Sequence, residues 1–400
     1  MEKYDIVIVG GGPAGMMAGL LFARAGLGVA VLEKHRDFLR DFRGDTVHPS
    51  TLDLFDELGL FDALLAEPHD KIEEIGAVVA GHDYRLADFT HLPGRGRFVA
   101  LMPQWHFLDF VARQARRYPG FDLRMETAGA ALIAGEGGRI AGVRTAQGKE
   151  LRARLVILAD GRDSALRDAA GLPRTDLGVP IDVFWFRVPK ERGAENRTAA
   201  YLSQGQMVVA IDRGDYFQCA RVIRKGSAAE VRERGIATFR TDMAAAAPVI
   251  APGIAAVRDW DDVKLLSVSL DRLTRWHRPG LLAIGDAAHA MSPVGGVGIN
   301  LAIQDAVAAA NILAAPMLRG EDPDALLAKV QARRMFPVKV IQAIQRAAHR
   351  NVLERALSGE IAHAPLLLRL FDRVALLRRI PARVLGLGVR REHIRSPVGG

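Results

Sequence analysis

Residues 4–26 read YDIVIVGGGPAGMMAGLLFARAG, and this stretch decides the fold of the first part of the chain. The apolar, β-branched run 4–9 is typical of a buried strand. It is followed at once by the glycine-rich run 10–15 and then by a helical pattern that stops at Gly26. A G-x-G-x-x-G motif gains its meaning from this order of strand, turn and helix. We therefore predict the opening unit of an α/β fold that cradles a dinucleotide.

Each glycine of the motif has its own physical task. Gly10 permits the tight turn, Gly12 lets the backbone approach a pyrophosphate, and Gly15 lets helix and strand pack closely. Pro13 suits the first helical turn because its missing N–H is not needed there. The helix N-terminus then offers free N–H groups and a partial positive charge to phosphate oxygens. A glycine turn without any ligand is the alternative interpretation.

The end of the second predicted strand narrows the choice of dinucleotide. Glu33 follows the strand 28–32 and lies 18 residues past Gly15. A carboxylate at this point accepts hydrogen bonds from both ribose hydroxyls and repels a 2′-phosphate, which favours FAD or NAD over NADP. The cofactor-binding candidates of this unit are Gly10, Gly12, Pro13, Ala14, Gly15, Glu33 and Lys34.

Two later motifs place an aspartate at the carboxyl end of a buried strand. The run 155–159 ends in Asp160-Gly161, and the run 281–284 ends in Gly285-Asp286. Ligands of open α/β sheets bind at this edge. An extended, glycine-rich loop, 293–298, then leads into a helix that begins near Asn300.

These three elements, in this order and spacing, resemble the class A flavoprotein monooxygenases of the p-hydroxybenzoate hydroxylase type, over most of the chain. The resemblance implies that the first motif and Glu33 hold the ADP half of FAD. It also implies that Asp160 and Gly161 lie near the pyrophosphate and that Asp286 holds the ribityl chain. Arg43 and Gln104 are the positions that match two further cofactor contacts of the family.

The resemblance directs the start of the Asn300 helix at the flavin ring. The amides of Gly298, Ile299 and Asn300 would then meet the N1 and O2 edge, and the helix dipole would stabilise negative charge there. Pro293 is a candidate catalytic residue because it would help to keep solvent from the ring. His289 is expected to support the turn rather than to react.

His48 is the second catalytic candidate. It lies in a loop that is next to the flavin in the resembled family, and it precedes a helix for which we predict Ser50 as the cap and Asp53 as its return partner. An imidazole at this place could bind substrate or take a phenolic proton at neutral pH. A hydrogen-bonded histidine without chemistry is the competing interpretation.

The region 177–271 changes to short alternating runs that predict an antiparallel sheet. In the resembled family such a sheet supplies the substrate pocket, and Trp185, Tyr216 and Gln218 are our substrate-binding candidates. Alternation does not tell which face is inside, so ordinary core or surface positions remain an equal alternative. The predicted class is α/β: a three-layer, Rossmann-like, GR2-type FAD-binding domain with this inserted sheet and C-terminal helices. The predicted boundaries are 1–75, 100–176 and 272–345 for the FAD-binding domain, 76–99 and 177–271 for the substrate domain, and 346–400 for the helical segment.

Composition narrows the remaining classes. The single cysteine, Cys219, excludes an intrachain disulfide and a Cys-based metal site, so no metal is expected. The formal charge of +8 is spread along the chain without an aromatic-lined stripe, which disfavours nucleic acid and fits anionic small ligands. No secretory leader or membrane span is recognised, so a soluble, cytoplasmic protein, monomeric or homodimeric, is expected. Residues 364–380 combine leucines with arginines, which indicates helix packing or peripheral contact with an anionic bilayer.

The predicted function is FAD-dependent hydroxylation of an aromatic or quinone-like small molecule. NADPH or NADH would reduce FAD, O2 would add at the flavin C4a position, and the hydroperoxide would attack an electron-rich ring. A geranylgeranyl-reductase-like enzyme is the first rival, although the complete 160–167 motif and Pro293 speak against it. A flavin-dependent halogenase lacks support because 184–189 is not the expected WxWxIP motif. A flavoprotein that only binds a hydrophobic molecule is the non-enzymatic rival.

Overall fold

The computed structural model describes residues 2–39, 45–191, 198–203, 205–359 and 364–399. The strands are, in chain order, β1 (Glu2–Val9), β2 (Val29–Leu32), β3 (Thr46–Val47), β4 (Asp70–Ile72), β5 (Glu74–Val79), β6 (His82–Asp88), β7 (Val99–Leu101), β8 (Phe121–Arg124), β9 (Gly129–Ala134), β10 (Ile140–Thr145), β11 (Glu150–Leu158), β12 (Arg174–Asp176), β13 (Ile181–Pro189), β14 (Ala199–Ser203), β15 (Gln206–Asp212), β16 (Tyr216–Arg224), β17 (Lys264–Leu266), β18 (Asp271–Leu273), β19 (His277–Arg278) and β20 (Leu281–Ala283). The α-helices are α1 (Pro13–Arg24), α2 (Pro49–Glu57), α3 (Phe61–Leu65), α4 (Gln104–Ala115), α5 (Ala165–Ala169), α6 (Ala228–Glu233), α7 (Ile236–Ala246), α8 (Gly298–Leu318), α9 (Asp324–Ala348), α10 (Glu354–Leu357), α11 (Leu366–Arg373) and α12 (Arg379–Gly386).

The largest sheet has a parallel centre, in the order β20-β11-β1-β2-β8, with β19 and the β9–β10 hairpin attached in antiparallel fashion. The carboxyl-terminal halves of its two longest central strands, 6–9 in β1 and 155–158 in β11, are continuous buried apolar runs, as expected where both faces of a sheet are covered. Helix α1 packs between α8 and α4. This confirms the predicted Rossmann-like α/β class, and it brings the ends of β1, β11 and β20 to one edge.

A second sheet has the order β17-β13-β16-β15-β14-β5-β6. The predicted strands of the middle region are present, but β17 is limited to Lys264–Leu266. The sheet is not wholly antiparallel, because β5 comes from a separate segment and pairs with β14 in parallel. Helices α6 and α7 lie against the face that carries Phe184 and Phe186. The domain boundaries given above stay a prediction.

The end of the chain returns across the first domain. Arg391 pairs with Asp53 at 2.5 Å, and the backbone N–H of Ile394 donates to Glu57. Helix α2 therefore differs from the prediction: it begins at Pro49, no side chain caps it, and the Asp53 carboxylate is engaged by Arg391. The prediction that Ser50 and Asp53 form a cap is wrong.

One helical stretch of the described chain, Val294–Leu318, is apolar and long enough to cross a bilayer by composition alone. Because 72% of its most apolar window is buried inside the protein, the stretch resembles the core helix of a folded domain. It contains α8, which lies between α1 and α9.

Candidate functional site

The first turn leaves space above its backbone where a cofactor could lie. Gly10 has a φ of +109°, and a Cβ atom added there would come within 2.4 Å of the Ala159 carbonyl oxygen. A Cβ on Gly15 would lie 1.9 Å from the Gly10 carbonyl oxygen, whereas one on Gly12 would meet no heavy atom within 4 Å. Two glycines are thus required by packing, and the third borders open space.

Helices α1 and α8 both begin at the edge of the first sheet where β1, β11 and β20 end, and neither has a side-chain cap. Pro13 and Ala14 open α1, and α8 opens with Gly298, Ile299 and Asn300. No acceptor in the described ranges receives the amides of those three residues. The two helix N-termini are therefore available to an anionic or electron-rich ligand.

Glu33 lies directly beside the glycine turn. Its carboxylate is buried and accepts hydrogen bonds from the amides of Gly11, at 3.1 Å, and His35, at 2.9 Å. The His35 ring lies 2.5 Å from the same carboxylate. These contacts fix the carboxylate at the end of β2. Lys34 follows it on the exposed side, and Arg43 lies outside the described residues.

The second and third motifs meet across the edge of the sheet. Arg162 and Asp286 form an ion pair at 3.3 Å, which joins the turn after β11 to the turn after β20. Gly161 adopts a φ of +90° in the first of these turns. Burial raises the pKa of Asp160, and its Oδ1 atom has no hydrogen-bond partner in the described part of the chain. An orphaned, buried acceptor at this place fits a ligand that brings a donor.

The loop that opens α8 differs from the predicted extended form, because Val294–Gly296 make a 3-10 turn. Pro293 lies half-buried at the head of this turn. The Asn300 side chain accepts from the His48 amide at 2.9 Å and from the Thr51 hydroxyl at 2.8 Å, so it fixes the neighbouring loop. The backbone amides of the helix start, rather than this side chain, remain open to a ligand.

His48 is buried and held from two sides. Its Nδ1 atom lies 2.7 Å from the Leu385 carbonyl oxygen, so this nitrogen carries the proton and donates. Burial lowers the pKa of His48 to about 4, although the bond to Leu385 favours the charged form. The ring is therefore neutral at physiological pH and links the junction between β3 and α2 to α12. Its catalytic role stays a prediction.

The register of the second sheet places the three substrate candidates on one face. Trp185 is opposite Ala220, while Gln218 is opposite Arg187 and Tyr216 is opposite Pro189. Directly opposed residues of an antiparallel pair point to the same side. Trp185 belongs to the apolar cluster that contains Val294, so this side faces the loop that opens α8. The opposite side packs on α7.

Comparisons with known proteins agree with this geometry. A family model described as an FAD binding domain matches residues 3–344. The 6-methylpretetramide 4-monooxygenase of Streptomyces rimosus is 32% identical over 393 residues, covering 95% of this chain and 91% of that one. The ubiquinone hydroxylase UbiL of Rhodospirillum rubrum is 26% identical, covering 94% and 88%. The structure of PqsL, a probable FAD-dependent monooxygenase from Pseudomonas aeruginosa, superimposes with a TM-score of 0.77 at 24% identity, covering 90% and 99%.

The chain belongs to the family of FAD-dependent aromatic hydroxylases. The hydroxylase is thus an FAD-dependent monooxygenase, as predicted, and the relatives named above give no support to the reductase alternative. The open space over Gly12, the orphaned Asp160 oxygen and the two uncapped helices fit FAD.

The sequence pattern does not predict a buried polar cluster that lies beside the site. In this hydroxylase, Arg213 pairs with Asp45 at 2.5 Å and donates to the Gln218 side chain at 3.3 Å. Burial raises the pKa of Asp45, while Arg213 opposes that shift. The backbone amide of Gln104, which opens α4, also opposes the raised pKa of this carboxyl. Arg213 lies in a hairpin turn whose polar sequence predicts exposure to solvent, so the local sequence does not predict that its side chain is buried.

The sequence pattern also does not predict the ion network behind the third motif. Asp305 of α8 accepts from the Gly285 amide at 3.0 Å and lies 2.6 Å from His289 and 2.9 Å from Arg334. Arg334 in turn contacts Glu392 at 3.4 Å. All four side chains are buried. The network holds the Gly285–Asp286 turn from behind, and the supporting role of His289 within it stays a prediction.

Proposed function

We propose that this monooxygenase uses NADPH or NADH and O2 to hydroxylate a polycyclic phenol or a quinone-like ring. The observation that carries the proposal is the shared position of Trp185 and Val294 in one apolar cluster. A planar, mostly apolar ligand would lie between the Trp185 face of the second sheet and the start of α8. Two named relatives, which act on 6-methylpretetramide and on ubiquinone, support this substrate class.

The chain offers a separate holding point for each part of FAD. The amides of Ala14 and Gly15 and the space over Gly12 would receive the pyrophosphate, and Glu33 would receive the adenosine ribose. Asp286 would bind the ribityl chain, and the Gly298–Asn300 amides would face the pyrimidine edge of the ring. When bound, FAD supplies the electron transfer and oxygen chemistry that no side chain of the site can provide.

The side chains around this position have orienting and excluding tasks. Pro293, on the loop that opens α8, and Trp185, on the second sheet, would keep water from a reacting ring held between them. Gln218, fixed by Arg213, would accept or donate a hydrogen bond to a ring hydroxyl or carbonyl. His48 would hold the loop in place as a neutral donor rather than take the phenolic proton, because its lowered pKa makes it a weak base.

The proposal is tested by measuring the oxidation of NADPH and of NADH together with O2 uptake. The product is then analysed after a reaction under isotopically labelled dioxygen. A panel of polycyclic phenols and quinones should stimulate nicotinamide oxidation, and the product should carry one labelled oxygen atom. Stimulated oxidation that continues without O2 would instead identify a reductase. A lack of stimulation by every ring compound would instead identify a binding protein without this activity.

We also propose a cytoplasmic location and a monomeric or homodimeric state.

Two matched variants locate the substrate. Trp185→Phe changes the sheet face that borders α8, whereas Trp260→Phe changes the cluster on the opposite face. The first should raise the KM for the ring substrate several-fold, as expected for lost contact area, and the second should leave it unchanged. Equal effects would place the substrate elsewhere.

A further inference from the structure

An exposed apolar surface lies on the last helices of the chain. It comprises α11, the 3-10 turn Ala375–Arg378 and α12, and we call it the C-terminal patch. Leu366 is 80% exposed and Leu376 is 63% exposed. Within fifteen residues the patch exposes six large apolar side chains: Leu366, Leu367, Leu370, Val374, Leu376 and Ile380. Single exposed leucines are ordinary, but a contiguous group marks an interaction surface.

Helix α11 is apolar on two separate sides. Leu368 packs on the cluster that contains Val79 and Leu202, which anchors the helix to the second sheet. Asp372 accepts from the Arg85 amide at 3.1 Å on the same side. Leu366 and Leu370, one helical turn apart, lie on the solvent side. Among the described residues, neither Leu366 nor Leu370 belongs to an apolar cluster of the chain.

Arginines border the exposed leucines. Residues 366–383 contain five arginines and one acidic residue, Asp372. Arg378 donates to the backbone carbonyls of residues 371 and 372. The other four are exposed, and in the described ranges none of them pairs with a carboxylate: Arg369, Arg373, Arg379 and Arg383. The patch thus joins an apolar surface to unneutralised positive charge.

We propose that the C-terminal patch docks on the surface of an anionic phospholipid bilayer. Leucines flanked by arginines match an interface in which apolar side chains enter the acyl boundary and guanidinium groups meet lipid phosphates. A protein partner or a second copy would need a complementary acidic rim. The one acidic residue of the patch, Asp372, already binds the Arg85 amide, so a copy of the patch cannot neutralise another.

The patch is continuous with the wall of the candidate site. Ala382 and Leu385 of α12 belong to the apolar cluster that contains Ile211 of the second sheet. The Leu385 carbonyl accepts from His48, and the Leu385 side chain lies beside Gly295 of the loop that opens α8. If the proposed function holds, a lipid-soluble ring compound would reach the site from the membrane side. The docking itself does not depend on that activity.

Vesicle flotation with the FAD-loaded full chain tests the proposal. Phosphatidylcholine vesicles are compared with vesicles in which part of the lipid is phosphatidylglycerol. The wild type should float with the anionic vesicles and much less with the neutral ones. Arg369→Gln combined with Arg373→Gln should lower the partition coefficient roughly thirtyfold. Leu366→Ser combined with Leu370→Ser should abolish flotation.

The control carries Leu318→Ser and Phe336→Ser, which change exposed apolar residues outside the patch, and it should float like the wild type. Bound flavin is measured in every sample, so a loss of fold or cofactor is distinguished from a loss of docking. Equal recovery of all proteins with both vesicle types would overturn the proposal. A dimer in solution that the leucine variant converts to a monomer, without anionic flotation of the wild type, would also overturn it and assign the patch to a second copy.

Discussion

Replacement of Arg334 by Met tests how strongly the buried ion network stabilises the fold. Arg334 is 1% exposed and lies between Asp305 and Glu392, both of which are buried. Removing it leaves two carboxylates inside the protein without their shared cation. Breaking a buried pair in this way costs about 3–5 kcal/mol of unfolding free energy. The neighbouring Arg333 contacts the same Glu392 but is 25% exposed, so Arg333→Met should cost about 1 kcal/mol or less.

Urea unfolding of the FAD-saturated proteins, followed by tryptophan fluorescence, gives the two free energies. Trp276 is a suitable probe because it is buried and its ring lies 5.1 Å from that of His289. The comparison is made at neutral pH and again at about pH 5. Burial alone would raise the pKa of Asp305, but His289 and Arg334 outweigh burial and lower it.

The sign of the pH effect follows from that shift. The stabilisation from ionised Asp305 is present above its unfolded pKa of 3.8 and is lost as the pH falls through the lower folded value. In Arg334→Met the pKa of Asp305 rises, so protonation relieves part of the penalty in acid. The difference from the wild type should therefore shrink towards about pH 5. Equal losses for both arginine variants, independent of pH, would refute the argument from burial.

Three further perturbations separate cofactor contacts, fold and loop position. Gly12→Ala should weaken FAD binding about tenfold or more but change the free energy of unfolding of the apoprotein by no more than about 1 kcal/mol, whereas Gly15→Ala should cost about 1–3 kcal/mol because its Cβ would meet the Gly10 carbonyl. Denaturant unfolding measures the stability of both variants, and flavin titration measures their affinity for FAD. A Gly15→Ala protein that is stable and binds FAD would contradict the packing argument. His48, with its pKa lowered from 6.5 to about 4, contributes about 3 kcal/mol of stability above pH 6.5, and this contribution is lost as the pH falls to about 4. In unfolding measured as a function of pH, His48→Gln should therefore lose less stability than the wild type over this range. An equal loss in both proteins would assign the pH dependence to other groups. Gln345 forms two hydrogen bonds with the Ser292 backbone and one with the Val294 carbonyl, so Gln345→Leu should destabilise the loop by about 2–3 kcal/mol and raise the H2O2 formed per NAD(P)H consumed. The control is Gln342→Leu, which removes hydrogen bonds to residues 271, 272 and 290 and should not raise the H2O2 yield. Equal peroxide yields from both variants would show that these hydrogen bonds to the loop do not matter.

The parts of the site that could be predicted from the sequence are those determined by the order of neighbouring elements along the chain. A strand, a glycine turn and a helix occupy consecutive residues, so the Gly10–Gly15 turn follows from the pattern. The positions of Asp160 and Asp286 follow from strand ends in a parallel sheet, whose carboxyl ends share one edge. The same logic located the start of α8, although not the 3-10 turn before it.

The missed parts depend on contacts between distant residues. Asp45 and Arg213 are 168 residues apart, and Arg334 and Glu392 are 58 apart, so no local spacing links them. The inner face of the second sheet became known only from the packing of Val294 against it. The wrong cap at Ser50 has the same origin, because Asp53 is engaged by Arg391 from the end of the chain.

We propose that the two uncapped helix starts and Glu33 together hold one FAD. The most direct test is the visible spectrum of the purified protein, with identification of the released flavin and its ratio to protein after reconstitution. We predict a yellow protein that carries FAD at about one per chain. A colourless protein that takes up neither FAD nor FMN would contradict this assignment of the cofactor site.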